Sequence, residues 1–339
     1  EVLLHALNIV LLFASGLMTG WLAGRLWAPA QDERRMDWRR CYIGAGLFVL
    51  FPFSYDAMAW IAAMSHLLSV ALILLSVVGY VKARETSSRM WTALGLLAVF
   101  LCPFSHENGV LAGLLIAAVE LTWPSARSQP AESMWRRTSR VALWLAPLLI
   151  WWLLWRSVSI AYGPGWLALN DGKTLWRNSV YFLQGPAYPL TWLGGWLSER
   201  LAIDNTVVAG GLSAVALAGA ALVPWRSDAD RRAWLPWLWI GLTSAPIVLF
   251  LNYGYVNSSP RMMLLMSVGA AWLWTDVGVR LIDWGRATTT RRRFAQGVVL
   301  ALVTILMIQN VMFIHDRLRP WELSGSVVRQ IVDRTVSAN

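Results

Sequence analysis

The chain has 339 residues, 57% hydrophobic and 14% charged, with a mean hydropathy of +0.50; a soluble domain carries about 25% charged residues. A water-soluble globule of this size cannot bury so much apolar surface, and a disordered chain has the opposite composition. The net charge of +10 is a topology signal and not a nucleic-acid footprint, because the basic residues fall between apolar runs, while the 23 tryptophans suit the membrane–water boundary.

The chain opens at Glu1 straight into an apolar run, without the basic start of a signal peptide, so its natural beginning is expected further upstream. A spanning helix needs about 20 apolar residues, since the hydrocarbon is about 30 Å thick and a helix rises about 1.5 Å per residue. Runs at 2–27, 57–82, 108–124, 141–161, 206–224, 233–251, 261–283 and 295–316 read as spans, with shorter ones at 41–52 and 90–102. The pattern predicts an all-α, polytopic integral membrane protein with about ten transmembrane helices. The apolar stretch 181–197 is broken by Gly185, Pro186, Pro189, Gly194 and Gly195, and is predicted to be a re-entrant or interfacial segment on the outer side. Residues 1–316 are read as the transmembrane domain. Residues 317–339 are read as an amphipathic outer-surface tail, with Trp321, Leu323, Val327, Val328, Ile331 and Val332 as its apolar stripe.

Basic residues set the orientation. Five groups hold 20 of the 29 Lys and Arg. They are Arg25, Arg34, Arg35, Arg39 and Arg40; Lys82, Arg84 and Arg89; Arg127, Arg136, Arg137 and Arg140; Arg226, Arg231 and Arg232; and Arg280, Arg286, Arg291, Arg292 and Arg293. All fall in alternate loops, which the positive-inside rule makes cytoplasmic and which leaves the C-terminus extracytoplasmic in a bacterial-type cytoplasmic membrane. Cys41 lies at an inner helix start and Cys102 near an outer helix end, too far apart to pair, and no Cys/His spacing suggests zinc.

An internal repeat carries the candidate chemistry. Pro52-Phe53-Ser54-Tyr55-Asp56 recurs as Pro103-Phe104-Ser105-His106-Glu107, 51 residues on. Each copy joins a short outgoing helix to a longer returning one, so two Pro-hinged short/long hairpins are predicted, with Asp56 and Glu107 facing a cavity open to the outside. Irregular backbone at membrane depth is tolerated where it is buried in protein or lines a wet cavity. Ser54 and Ser105 read as N-caps whose helix starts would attract an anion. The carboxylate pair could hold a divalent cation or act as acid and base; ordinary helix capping is the alternative. Arg261, after Asn257-Ser258-Ser259-Pro260, breaks the positive-inside pattern and reads either as a lipid-phosphate ligand or as a snorkelling side chain. Arg156 has the same two readings, whereas Asp171, Lys173 and Arg177 read as solvated loop residues. His5 and His66 lie inside apolar spans, where haem or chlorin ligation and hydrogen-bonded core positions are both open.

Several segments, in order, resemble the GT-C superfamily of multi-spanning glycosyltransferases, and in particular its O-mannosyltransferase-like branch with TPR tails. Leu3-Leu4-His5-Ala6-Leu7-Asn8 is similar to that branch's LLHALN helix, and Phe51-Pro52 with Asp56-Ala57-Met58-Ala59-Trp60-Ile61 to its HPxxxEAVAWI hinge. Ser105-His106-Glu107-Asn108 is similar to its SKEN hinge, Arg261 through Gly269 to its RYLYLPSVG segment, and His315 to Val328 to the stretch before the TPR repeats. Asp56 stands where the branch has Glu, His106 where it has Lys, and Met64-Ser65-His66 where it has RKD. The resemblance implies transfer of a sugar from a polyprenyl-phosphate donor to an acceptor hydroxyl on the extracytoplasmic side. Asp56 and Glu107 would then be catalytic, shaping the donor or metal site, and His106, Asn108 and Arg261 would bind substrate. The base itself would be an aspartate in an outer loop upstream of the LLHALN helix. Membrane lipid and the polyprenyl-phosphate sugar are the implied partners, with no role for nucleic acid. The other readings are a catalytically degenerate structural subunit of a larger membrane complex, and a transporter or flippase.

Overall fold

The computed structural model describes residues 2–28, 36–123, 133–158, 168–226, 231–285 and 288–337. All regular structure among them is helical. The first half holds α1 (Val2–Leu26), α2 (Trp38–Val49), the one-turn α3 (Tyr55–Ala59), α4 (Met64–Thr86), α5 (Arg89–Ser105), α6 (Ala112–Thr122) and α7 (Met134–Ser157). The second half holds α8 (Gly172–Gln184), α9 (Tyr188–Leu201), α10 (Asn205–Arg226), α11 (Leu235–Phe250), the short α12 (Tyr253–Asn257), α13 (Met266–Gly285) and α14 (Thr289–Ser337).

Several helices are long and apolar enough to cross a membrane. Among the described residues five qualify alone, in α1, α4, α7, α11 and α14, and α2 with the turn and α3 behind it makes a sixth, bent by 51°. The expected ten are not supported at that number, for physical reasons. In the 108–124 run the first residues go into a 3₁₀ turn, leaving α6 with 11 residues. In the 261–283 run α13 starts only at Met266 and carries Asp276, Arg280 and Asp283 in its second half. The broken stretch 181–197 is a helix–turn–helix, with α8 and α9 meeting at Gly185–Ala187. The last helix runs on without interruption from the apolar 295–316 stretch to Ser337; the side chains of its expected apolar stripe lie outside the described residues, as do Arg34, Arg35, Arg127 and Arg286.

The main core lies between α1, α2, α4, α5, α6, α11 and α13. Two tryptophans are buried at its centre: the Trp272 ring packs on Trp239 (4.8 Å between centroids) and on Trp27 (5.9 Å). A buried indole N–H usually finds an acceptor, and these two find backbone carbonyls, Trp239 at Leu265 (2.9 Å) and Trp272 at Thr19 (3.0 Å). By contrast α7 buries Trp144 and leaves Leu149, Ile150, Trp152, Leu153 and Leu154 exposed. An apolar face of that size suits lipid better than water.

All five basic groups contribute to one end of the bundle, tied there by acids and carbonyls. Arg25 pairs with Glu85, joining α1 to α4. Arg232 donates to the carbonyls of Leu26 (3.2 Å) and Ala28 (2.7 Å). Asp276 of α13 accepts from Arg40 of α2 (3.0 Å) and from Arg280 (2.8 Å), and Arg39 reaches Asp283 at 2.8 Å. Asp37 caps α2; partial burial raises its pKa, but the hydrogen bond and charge of Arg40 outweigh this and hold the carboxyl below its ordinary range. The most buried member is Glu120 of α6, 1% exposed, which takes Tyr80, Arg84 (2.8 Å), Arg137 (3.3 Å) and Arg140 (3.4 Å).

Candidate functional site

At the opposite end the helices break, and the breaks build the site. After α2 the chain makes a 3₁₀ turn at Pro52–Ser54, then α3, an extended Trp60 (φ −100°, ψ 113°) and a second 3₁₀ turn at Ile61–Ala63 before α4 begins. A broken helix leaves carbonyls without partners, which is costly away from water. Polar residues of the apolar helices meet them. Asn8 Nδ2 donates to Ala57 (3.3 Å) and Met58 (3.4 Å), and His5 Nδ1 lies 3.4 Å from the Met58 carbonyl. Asn310 of α14 donates to Leu50, and Tyr188 to Leu47 at 3.3 Å. Asn170 and Asn178 do the same at the end of α11, both donating to Val248 and Leu251. The polar residues of the LLHALN segment thus brace the first hinge, and His5 is a hydrogen-bonded packing residue.

The second hinge differs from its sequence repeat. Pro103 does not start a turn but lies inside the last turn of α5, which ends at Ser105; His106 is extended (φ −165°, ψ 152°), and Glu107–Leu111 form a 3₁₀ turn ahead of α6. The expectation that Ser54 and Ser105 cap the returning helices is corrected. Both hydroxyls donate backward to the carbonyl three residues earlier, Ser54 to Phe51 (2.8 Å) and Ser105 to Cys102 (2.6 Å), because each serine lies inside a helical turn and not at its start. The cap of the second turn is His106, whose Nδ1 accepts the Asn108 N–H at 3.2 Å.

Gly109 permits this fold-back. A Cβ there would stand 2.2 Å from the Cys102 carbonyl carbon and 2.3 Å from its oxygen, backbone atoms that cannot move aside. Gly109→Ala is expected to lower stability by about 1–3 kcal/mol, measured by denaturant titration in detergent micelles, and a change under about 0.5 kcal/mol would mean that the hinge is looser than the close approach implies.

Arg261 meets the first hinge from a 3₁₀ turn at Pro260–Met263. Its Nη1 donates to Asp56 Oδ2 at 2.8 Å, its backbone N–H reaches the same oxygen at 3.4 Å, and its guanidinium lies 4.3 Å from the centre of the Trp60 ring. Asp56 and Arg261 are 6% and 7% exposed. The remaining guanidinium donors, at Nε and Nη2, are left without a hydrogen bond among the described residues. Beside Arg261 is a polar cleft with room for about one water, ≈ 10 Å³. Its polar wall is His66, Ser69, His106, Asn108 and Arg261. The imidazoles of His66 and His106 are in contact, 3.9 Å between centroids. Ser69 Oγ is buried with no hydrogen-bond partner among the described residues.

The structure therefore gathers three expected site residues, His106, Asn108 and Arg261, on one cleft, and places Asp56 directly behind Arg261. It does not bring the two carboxylates face to face. The Glu107 side chain is 91% exposed, with Oε2 3.4 Å from His106 Nε2, because the extended His106 turns Glu107 outward at the start of the 3₁₀ turn. The pair is not placed to share a divalent cation, and among the described residues no three His, Cys, Asp or Glu side chains cluster as a metal site. Arg156 is exposed at the end of α7, and Asp171 caps α8 by accepting the Thr174 N–H at 2.7 Å. That hydrogen bond, from backbone and side chain of Thr174, holds the Asp171 carboxyl below its ordinary range. His66 and Ser69 sit three residues apart on α4 and face the cleft together; the signal for them was a Ser and a His on one helical face of an otherwise apolar run. No family model, curated protein or solved structure matches the chain.

Proposed function

We propose that the chain is the membrane domain of a GT-C-like glycosyltransferase, moving a sugar from a polyprenyl-phosphate donor to an acceptor hydroxyl, with the donor phosphate held at Arg261. The observation that carries this reading is Arg261 itself, fixed by Asp56 and Trp60 at the wall of a polar cleft with guanidinium donors to spare. In such a transfer the bond from the sugar's anomeric carbon to the phosphate oxygen breaks, the phosphate keeps the electron pair, and the acceptor oxygen bonds to the carbon as a base takes its proton. A preset guanidinium stabilises the charge that gathers on the phosphate. In this reading Asp56 positions Arg261, Glu107 acts through His106, and Asn108 and Ser69 offer hydrogen bonds to the phosphate oxygens. In this reading the basic end of the bundle lies in the cytoplasm by the positive-inside rule, which places the cleft toward the other face.

The test is donor turnover by the purified chain in nanodiscs carrying a labelled polyprenyl-phosphate sugar. Arg261→Gln is expected to lower turnover roughly 100-fold, and unchanged turnover would reject the role. The small volume of the cleft, with room for one water and with Arg261 already paired with Asp56, favours a second reading, a structural subunit of a larger membrane complex. Stoichiometric membrane partners on purification, together with no polyprenyl-phosphate binding, would decide for it.

A further inference from the structure

The cleft gathers two imidazoles and a guanidinium around a space of one water, while both nearby acids stand outside its wall. Hydrogen bonding sets the protons. His106 Nδ1 accepts the Asn108 N–H, so that nitrogen carries no proton, and its Nε2 stands 3.4 Å from Glu107 Oε2, where an N–H donates. His106 is thereby held as the neutral Nε2–H tautomer. The His66 ring makes no hydrogen bond among the described residues. Its neighbours are His106 from the second hinge and Arg261 from the turn before α13. Asp56 is engaged by Arg261, Glu107 lies on the far side of His106, and His5 of α1 is engaged at the Met58 carbonyl. Among the described residues no carboxylate is left to offset a charge on His66. The Ser69 hydroxyl, one turn along the same helix, is buried on the wall of the same cleft with no hydrogen-bond partner among the described residues, so it is free to donate to an oxygen placed there.

We propose that the cleft is a proton-coupled site for a tetrahedral oxyanion that seats one oxygen in the one-water space: a phosphate-type dianion binding against Arg261 and Ser69 brings one proton from solvent onto His66. The inference rests on the reading of Arg261 as a phosphate residue and adds the proton that accompanies the anion. In the empty cleft a proton on His66 stands beside the Arg261 charge; once a dianion is bound the same proton is attracted to it. An imidazole ordinarily titrates near pH 6.5. The occupied cleft binds more protons than the empty one, so anion affinity rises as pH falls.

The experiment uses the full chain in nanodiscs of uncharged lipid and sulfate as the probe, because sulfate stays doubly charged across the range of interest. Calorimetric titration at pH 5.5 and pH 7.5, in buffers of different ionisation heat, is expected to show binding about tenfold tighter at the lower pH with uptake of about one proton per sulfate. His66→Gln, or His66→Asn should the first variant not fold, is expected to bind sulfate with one affinity at both pH values and no proton uptake. Sulfate binding that is pH-independent in the unaltered chain, or a pH dependence that survives in the His66 variants, overturns the coupling and leaves the anion site standing. No saturable binding at either pH, or binding undiminished in Arg261→Gln, overturns the anion site and the phosphate reading with it. Competition identifies the source of the ligand. Displacement of sulfate by a short prenyl phosphate at lower concentration than by inorganic phosphate supports a lipid-borne phosphate, and equal displacement overturns the lipid donor while keeping a free oxyanion.

Discussion

Glu120→Gln is expected to lower the stability of the chain by about 3–5 kcal/mol, read as a shift in the denaturant midpoint in mixed micelles. Glu120 is 1% exposed and is the shared acceptor for Arg84, Arg137 and Arg140, whose side chains are 11%, 23% and 24% exposed. Neutralising that carboxylate leaves the guanidiniums of Arg84 on α4 and of Arg137 and Arg140 on α7 without the negative charge between them, in a partly buried setting. The Tyr80 hydroxyl loses its charged acceptor as well, and Tyr80 stacks edge-on against Trp144, the buried anchor of α7 (5.3 Å between centroids). Both effects act on the attachment of α7, which has little other buried surface. Combining Glu120→Gln with Arg137→Gln and Arg140→Gln is expected to recover part of the loss, because residues in one charge network are not additive. A loss below about 1 kcal/mol would mean that the arginines reach solvent or lipid headgroups, and that the cluster behaves as a surface ion pair.

That cluster also marks where sequence reasoning stopped short. The class of fold was legible, because an apolar content of 57% in a chain this long has few other outlets. The five basic groups were legible as one set from their alternation, and direct contacts put at least one member of each at one end. Helix count was less so. Hydropathy averages over a window, and it does not see that Glu107–Leu111 wind as a 3₁₀ turn or that α13 hides its charges against α2. Glu120 was read as part of an apolar run, although a lone carboxylate at the depth of Arg84 and Arg137 is costly without a partner; that cost was the available signal. At the other end Asp56 and Arg261 were picked out separately, one from a hinge motif and one as a misplaced cation, and their contact across 205 residues of sequence is a product of the fold. The repeat suggested two equivalent hinges, but Pro52 opens a turn and Pro103 lies inside one, so the two acids point in different directions. Local pattern cannot settle side-chain direction where the backbone leaves regular dihedrals, and both hinges lie there.

The Asp56–Arg261 pair separates structure from function most cleanly, because its two roles predict opposite outcomes in a double-mutant cycle. Asp56→Asn and Arg261→Gln each leave a buried charge without its counter-ion, the pair being 9% and 8% exposed at the side chains. Each is expected to cost about 3–5 kcal/mol. The double variant replaces the ion pair by two neutral amides able to hydrogen-bond across the same gap, and is expected to recover most of that loss, as buried ion pairs are often replaceable as a unit. Donor turnover follows a different rule. Asp56→Asn keeps the guanidinium but frees it from the oxygen that positions it, so turnover falls while binding of the donor phosphate persists. The double variant, stable again, has no cation to hold the phosphate and is expected to be as inactive as Arg261→Gln alone. Stability restored with activity still lost assigns Arg261 to the chemistry of the cleft. Stability and turnover returning together would make the pair a brace between the first hinge and α13, and the phosphate would have to be held elsewhere.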